Sequence, residues 1–294
     1  MAISAVGFAT LGIFAKYAYS YGVNVPTLLT WRFSLSAVIL WVWVLFTKQH
    51  LPGWRDIFWL SVMGGIGYNA MASLFLSANM YAPAGLASAV LYTYPVLVTV
   101  ELALLGWEQL TRLRLLALTT SALGCGLVAL AQPQTVGSAT YTGLLLALSA
   151  AIVYSFYISL GSQVVQRVHA GVATTLVCTA AALVQSVNSL CSHTLLVVPT
   201  DAWWTIAGQV LCATVIAILA FFAGVRLIGA GRAAIVSTLE PVCAGILGFI
   251  LLGERLNPWQ LGGGLLVVGS VVLLQCEATW QRPSPPKQTR EELA

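Results

Sequence analysis

The sequence predicts an all-α membrane protein, with ten transmembrane helices arranged as two inverted five-helix repeats. Three observations carry that prediction. First, of 294 residues, 59% are hydrophobic and only 7% are charged. Soluble domains carry about 25% charged residues, so this composition cannot build a water-facing surface, and it is too apolar for disorder. Second, apolar runs of the ~20 residues needed to cross a bilayer recur along the whole chain. Third, one segment of the first half returns in the second.

The ten predicted spans are roughly 2–21, 27–46, 57–78, 83–105, 113–131, 141–160, 171–191, 203–224, 230–252 and 259–276. Turn residues fill the short connections: Asn24–Pro26, Pro52–Gly53, Pro83, Pro133, Gly137, Pro199 and Pro258. The start of the chain lacks the basic leading region of a cleavable signal peptide and reads as the first span. Beyond Glu277, Pro283, Pro285 and Pro286 stand among polar residues and predict a disordered tail over 278–294. None of the six cysteines forms a CxxC pair, so they read as small packing residues in lipid.

Residues 84–112 match residues 230–258 at an offset of 146, and Gly85/Gly231, Pro95/Pro241 and Glu108/Glu254 are the informative identities. The chain therefore divides into repeats at 1–136 and 137–277. Five spans per repeat is an odd number, so the second repeat enters the membrane from the opposite side. That arrangement generates two interchangeable conformations around a site near the midplane.

Basic residues set the orientation. With a cytoplasmic N-terminus, the inner side receives Lys48, Arg55, Arg112, Arg114, Arg167, Arg226, Arg232, Arg282, Lys287 and Arg290, and the outer side receives only Arg255. Both termini are then cytoplasmic. Trp54, Trp59, Trp107, Trp203, Trp204, Trp259 and Trp280 fall at span ends, as interfacial anchors do.

The half-chain pattern also resembles a known family. Lys16 in the first span, Arg32 after Pro26, the run A-G-L-A-S-A-V with P-V at 84–96, and then G-A-G-R-A-A-I-V-S-T-L-E-P-V at 229–242 followed by L-L-G-E-R-L at 251–256 resemble the EamA repeat of the drug/metabolite transporter superfamily. The resemblance covers nearly the whole chain. It implies ten spans, cytoplasmic termini, and export or exchange of small metabolites across a bacterial inner membrane.

Ionisable groups inside a membrane are costly and mark candidate sites. Lys16 and Arg32 each lie about 8 Å below the outer surface at ~1.5 Å per residue. Both are within snorkelling reach of headgroups, where they read either as structural clamps or as cations attracting carboxylates. Glu101, near the inner end of span four, reads as an ion-pair partner of Arg112 or Arg114. Glu240, in the middle of span nine, cannot snorkel. It faces a wet cavity, pairs with a cation, stays protonated, or bonds the next helix. A protonatable carboxylate there suits proton coupling, and a charged one suits a substrate ammonium.

Pro95 and Pro241 sit mid-span and release the carbonyls of Leu91 and Ser237, which makes them hinge candidates. Tyr92, Tyr94, Ser237, Thr238 and Glu240 then surround the floor of a central cavity. Trp31, Asn69 and Tyr154 complete the candidate set, whose mixed character suits an amino acid. Tyr68 stands among further mid-span polar residues.

The three histidines fall in loops or at span ends, and no HExxH or GxSxG occurs, so neither an enzyme, a metal site nor a cofactor is expected. The expected partners are a small molecule, the bilayer and protons, with no nucleic acid; the oligomeric state stays open. Three other readings also stay open: a carrier of phosphorylated or nucleotide sugars, a channel, and a structural membrane protein.

Overall fold

The computed structural model describes residues 1–81, 90–130, 138–194, 196–252 and 258–280. Among them all regular structure is helical. Among the described residues, seven helices are long and apolar enough to cross a membrane: Ala2–Ser20, Val25–Phe46, Trp54–Ala78, Tyr141–Val165, Ala170–Cys191, Thr200–Ile228 and Ala230–Leu247. The predicted fourth, fifth and tenth spans correspond to Tyr94–Leu104, Arg112–Leu130 and Pro258–Trp280. Glu254, residues 84–89 of the repeated segment and the tail after Trp280 lie outside the described residues.

Local chemistry sets the helix ends. Helix α1 (Ala2–Ser20) stops at a turn whose Gly22 has φ 81°, a left-handed conformation that glycine adopts without a Cβ penalty. Helix α2 (Val25–Phe46) starts at Asn24, whose side chain accepts from the Thr27 N–H at 2.9 Å, with Pro26 in its first turn. Helices α3 (Trp54–Val62) and α4 (Asn69–Tyr81) run on through a π-helical segment, Met63–Tyr68. Next come α5 (Tyr94–Leu104), α6 (Arg112–Leu130), α7 (Ser138–Val165) and α8 (Ala170–Cys191). Nδ1 of His169 accepts from the Gly171 N–H at the start of α8. Helices α9 (Trp203–Val210) and α10 (Ala217–Ile228) are likewise joined by a π segment, Leu211–Ile216. Gly229, at φ 82°, then turns the chain into α11 (Ala230–Ser237), α12 (Leu239–Leu252) and α13 (Pro258–Trp280).

Two interruptions stand beside prolines. The chain leaves helical geometry at Tyr92–Thr93, just before Pro95, and at Thr238, just before Pro241. Each proline lacks the N–H that would close the preceding turn.

Helix α2 packs along α8, α4 along α7, and α6 along α13, while α1 contacts α9 to α12. Small residues allow backbone-to-backbone approach, the usual device of helix packing in lipid. A Cβ on Gly64 would strike the Val177 carbonyl of α8, and one on Gly124 would lie 2.6 Å from the Gly263 carbonyl of α13. Leu, Val, Ile and Phe side chains such as Leu45, Phe46, Leu145, Leu183 and Leu265 are left exposed on the outside of the bundle. The main apolar core joins α2, α4, α5, α7, α8, α10 and α11.

Candidate substrate-binding cleft

A cleft of about 590 Å³, its mouth included, opens within the bundle. Its apolar walls come from Phe8 and Leu11 of α1, from Met71, Ala72, Phe75 and Leu76 of α4, and from Leu91. The α4 contribution follows helical geometry: Tyr68, Met71, Ala72, Phe75 and Leu76 recur at three- and four-residue spacing and share one face. Tyr68, Tyr92, Tyr94 and Tyr154 add ring surface and hydroxyls, and Arg32 and Glu240 bring opposite charges to the same lining.

The tyrosines form a connected cluster. Ring centroids of Tyr94 and Tyr154 lie 4.6 Å apart, those of Tyr154 and Tyr157 5.9 Å, and those of Tyr157 and Tyr68 5.7 Å. These spacings suit offset and tilted aromatic pairs.

Arg32 does not extend to the surface as the depth argument allowed. It is 2% exposed and held from two sides. Its Nε donates to Thr214 Oγ1 at 2.7 Å, and its Nη2 donates to the Tyr68 hydroxyl at 2.8 Å and to the Ala213 carbonyl at 3.3 Å. The Thr214 hydroxyl donates in turn to the Gln209 carbonyl at 2.8 Å, which leaves its lone pair aimed at the guanidinium. Thr214 and Ala213 belong to one π segment and Tyr68 closes the other. Neither hydrogen-bonded nitrogen is Nη1, and the guanidinium faces the cleft that Glu240 also lines. Partners of this kind are neutral dipoles, which offset only part of the several kcal/mol that burying a cation costs.

Glu240 lies two residues beyond the break at Thr238, and Tyr92 stands with it in the cleft lining. Tyr94 also lines the cleft, and the Ser237 hydroxyl donates to the Ala233 carbonyl at 2.9 Å. The two interruptions thus deliver polar side chains to one cleft from α5 and α12.

The other candidates lie elsewhere. Thr238 accepts from Ser121 Oγ at 2.8 Å, in the contact between α11 and α6. Lys16 is exposed. The Trp31 indole N–H donates to the Leu196 carbonyl at 3.1 Å, and its ring lies edge-on to Trp203. Asn69 is buried next to Tyr68, outside the cleft lining. Pro95 is buried, and its carbonyl accepts from Thr99 Oγ1. Glu101 takes neither expected arginine. Its two oxygens accept from Ser155 at 2.7 Å and Ser159 at 2.6 Å, one turn apart on α7, and Arg114 pairs with Glu108 instead.

Comparison with known proteins completes the assignment. The EamA-like transporter family matches residues 1–130 and 141–276. The chain belongs to that family and is an integral membrane protein of the transporter class. An uncharacterized transporter of Synechocystis sp. is 28% identical over 262 residues, covering 80% of this chain and 72% of that protein. An uncharacterized transporter of Archaeoglobus fulgidus is 31% identical over 72 residues, a match spanning 24% of this chain and only 27% of that relative. A protein of solved crystal structure superposes with a TM-score of 0.79 at 18% identity, covering 94% of this chain and 96% of its own, and so shares the fold.

Proposed function

We propose that the protein is a secondary transporter carrying a small zwitterionic metabolite, an amino acid or a close relative, outward across a bacterial cytoplasmic membrane by alternating access. One observation carries this reading: Arg32 and Glu240 line the same cleft, with aromatic and apolar walls between. Arg32 suits a substrate carboxylate, Glu240 a substrate ammonium or a coupling proton, and the rings an apolar side chain. Phosphorylated or nucleotide sugars fit less well, because the described lining residues offer a single cation to a multiply charged anion.

Ten spans in two inverted repeats underlie the alternation. The offset of 146 relates Tyr92 to Thr238, where the two helices break, and α2 to α8 and α6 to α13, which pack on each other as partners about a two-fold axis would. The family also matches two successive stretches, one per half. The loop arginines and lysines support cytoplasmic termini.

The test is uptake of a metabolite panel into proteoliposomes, with and without a pH gradient, by wild type and Glu240→Gln. Saturable flux with counterflow of one zwitterion, and loss of the pH response in the variant, are expected. Non-saturating flux without counterflow would identify a channel. Undiminished, pH-responsive transport in the variant would remove Glu240 from coupling.

A further inference from the structure

Glu108 stands outside the cleft and carries an unusual set of contacts. It lies in the loop between α5 and α6, yet its side chain reaches the start of α11, 123 residues further along the chain. The Gly231 N–H donates to Glu108 Oε1 at 3.2 Å. Arg114 Nη1 donates to Glu108 Oε2 at 2.8 Å and to the Gln109 carbonyl at 2.9 Å. The carboxylate therefore sits between a guanidinium and the partial positive charge of a helix N-terminus.

The backbone is shaped to admit it. A Cβ on Gly231 would lie 2.5 Å from Oε2, and Gly229, at φ 82°, would place a Cβ 3.0 Å from Oε1. Arg114 is only 8% exposed, so the clasp is partly shielded from water.

The clasp is also the end of a seam. Gly231, Ile235 and Thr238 follow one another at i, i+4 and i+7, one stripe of α11. Ile235 packs in an apolar cluster with Ala117 and Leu118 of α6, and Thr238 accepts from Ser121 of the same helix. The stripe ends two residues short of Glu240. At 1.5 Å per residue the clasp lies about 14 Å from the cleft carboxylate along the helix. Separating α11 from α6 breaks all three contacts together.

We infer that Glu108 is the cytoplasmic-gate latch of the carrier: braced by Arg114, it pins the start of α11 against α6 beneath the cleft, and it releases when the cleft opens inward. This rests on the alternating-access reading. A mere structural cap would affect stability and leave the sidedness of the cleft unchanged.

The experiment measures sidedness directly. Ala72, on the cleft wall, is replaced by cysteine in the full chain lacking its native cysteines, and a membrane-impermeant maleimide is applied to right-side-out and inside-out vesicles. Glu108→Ala removes the latch from one side, and Gly231→Ala obstructs it from the other. In both variants the ratio of inside to outside labelling is expected to rise by about tenfold or more, the scale of a charge-assisted hydrogen bond. Combining them is expected to add little further. Exchanging the pair, Glu108→Arg with Arg114→Glu, keeps an ion pair but sets a cation against the helix start, and is expected to leave the gate open as well. An unchanged ratio in variants that melt at the wild-type temperature, with wild-type counterflow intact, would overturn the latch alone. Absence of counterflow in the wild type would instead overturn the alternating-access reading.

Discussion

Tyr68 and Thr214 accept hydrogen bonds from the same guanidinium, that of Arg32, and stand 146 residues apart, the offset that relates the two halves of the sequence. Each lies in a π-helical segment of its own half. A single side chain from the first half thus ties the two π segments together. Arg32 is at once a wall of the cleft and a joint between these segments.

Lysine cannot replace it. An ammonium offers one nitrogen where the guanidinium offers a fork. Arg32→Lys is expected to lower transport kcat/KM by about tenfold or more, since each lost charged hydrogen bond is worth roughly 1.5–3 kcal/mol. Arg32→Gln is expected to do worse. Initial rates in proteoliposomes, read beside the melting temperature in detergent, separate lost binding from lost folding.

Tyr92 offers a milder perturbation. Tyr92→Phe removes a hydroxyl from the lining that Glu240 shares, and leaves the ring in the cleft wall. A neutral hydrogen bond contributes about 1 kcal/mol. An increase in KM of about fivefold is therefore expected, with the pH-gradient response retained. Loss of that response would make the hydroxyl part of the proton route.

Glu101 and its two serines form a unit. Ser155→Ala or Ser159→Ala alone leaves one hydroxyl on the carboxylate, whereas the double variant removes both. Each single change is expected to destabilise by about 1 kcal/mol and the double by more than the sum, because a half-buried carboxylate left without partners bears part of its desolvation penalty. Glu101→Gln in the double background is expected to recover part of the loss. A double-mutant cycle on thermal melting reads the coupling.

Gly64 has no room for a methyl group, since the obstacle is the backbone of α8. Gly64→Ala is expected to cost about 1–3 kcal/mol through forced displacement. A shift of melting temperature with the cleft chemistry untouched is the expected signature. An unchanged melting temperature would show that α8 yields easily at Val177.

The helices and their interruptions are legible in the sequence because they depend on local chemistry: apolar length, Asn24 and Pro26 at a start, Pro95 and Pro241 near a break. The carboxylate at Glu240 stands out for the same reason, as a costly group with no nearby exit. Arg32 shows where local reasoning ends. Its depth along α2 reads as snorkelling distance, but its partners lie 36 and 182 residues away, and only the fold brings them near. Thr238 is similar: its neighbourhood to Glu240 suggests the cleft, while the turn at the break directs it to Ser121. The apolar wall of α4 carries a readable signal, one helical face from Tyr68 to Leu76, which nothing in composition distinguishes from ordinary core.

The chemistry of the cleft lining also decides how it can be watched. Its rings are phenylalanine and tyrosine, with no tryptophan among the described lining residues. Trp31 faces Trp203, and Trp204 faces Phe14 and Tyr17, where α1 and α2 meet α9. Emission from Trp31, Trp203 and Trp204 is consequently blind to direct contact with the bound molecule and sensitive to sliding of α9 against its neighbours. A fluorescence change on adding substrate would time the movement of the carrier, and the bound molecule itself would have to be followed by isotope.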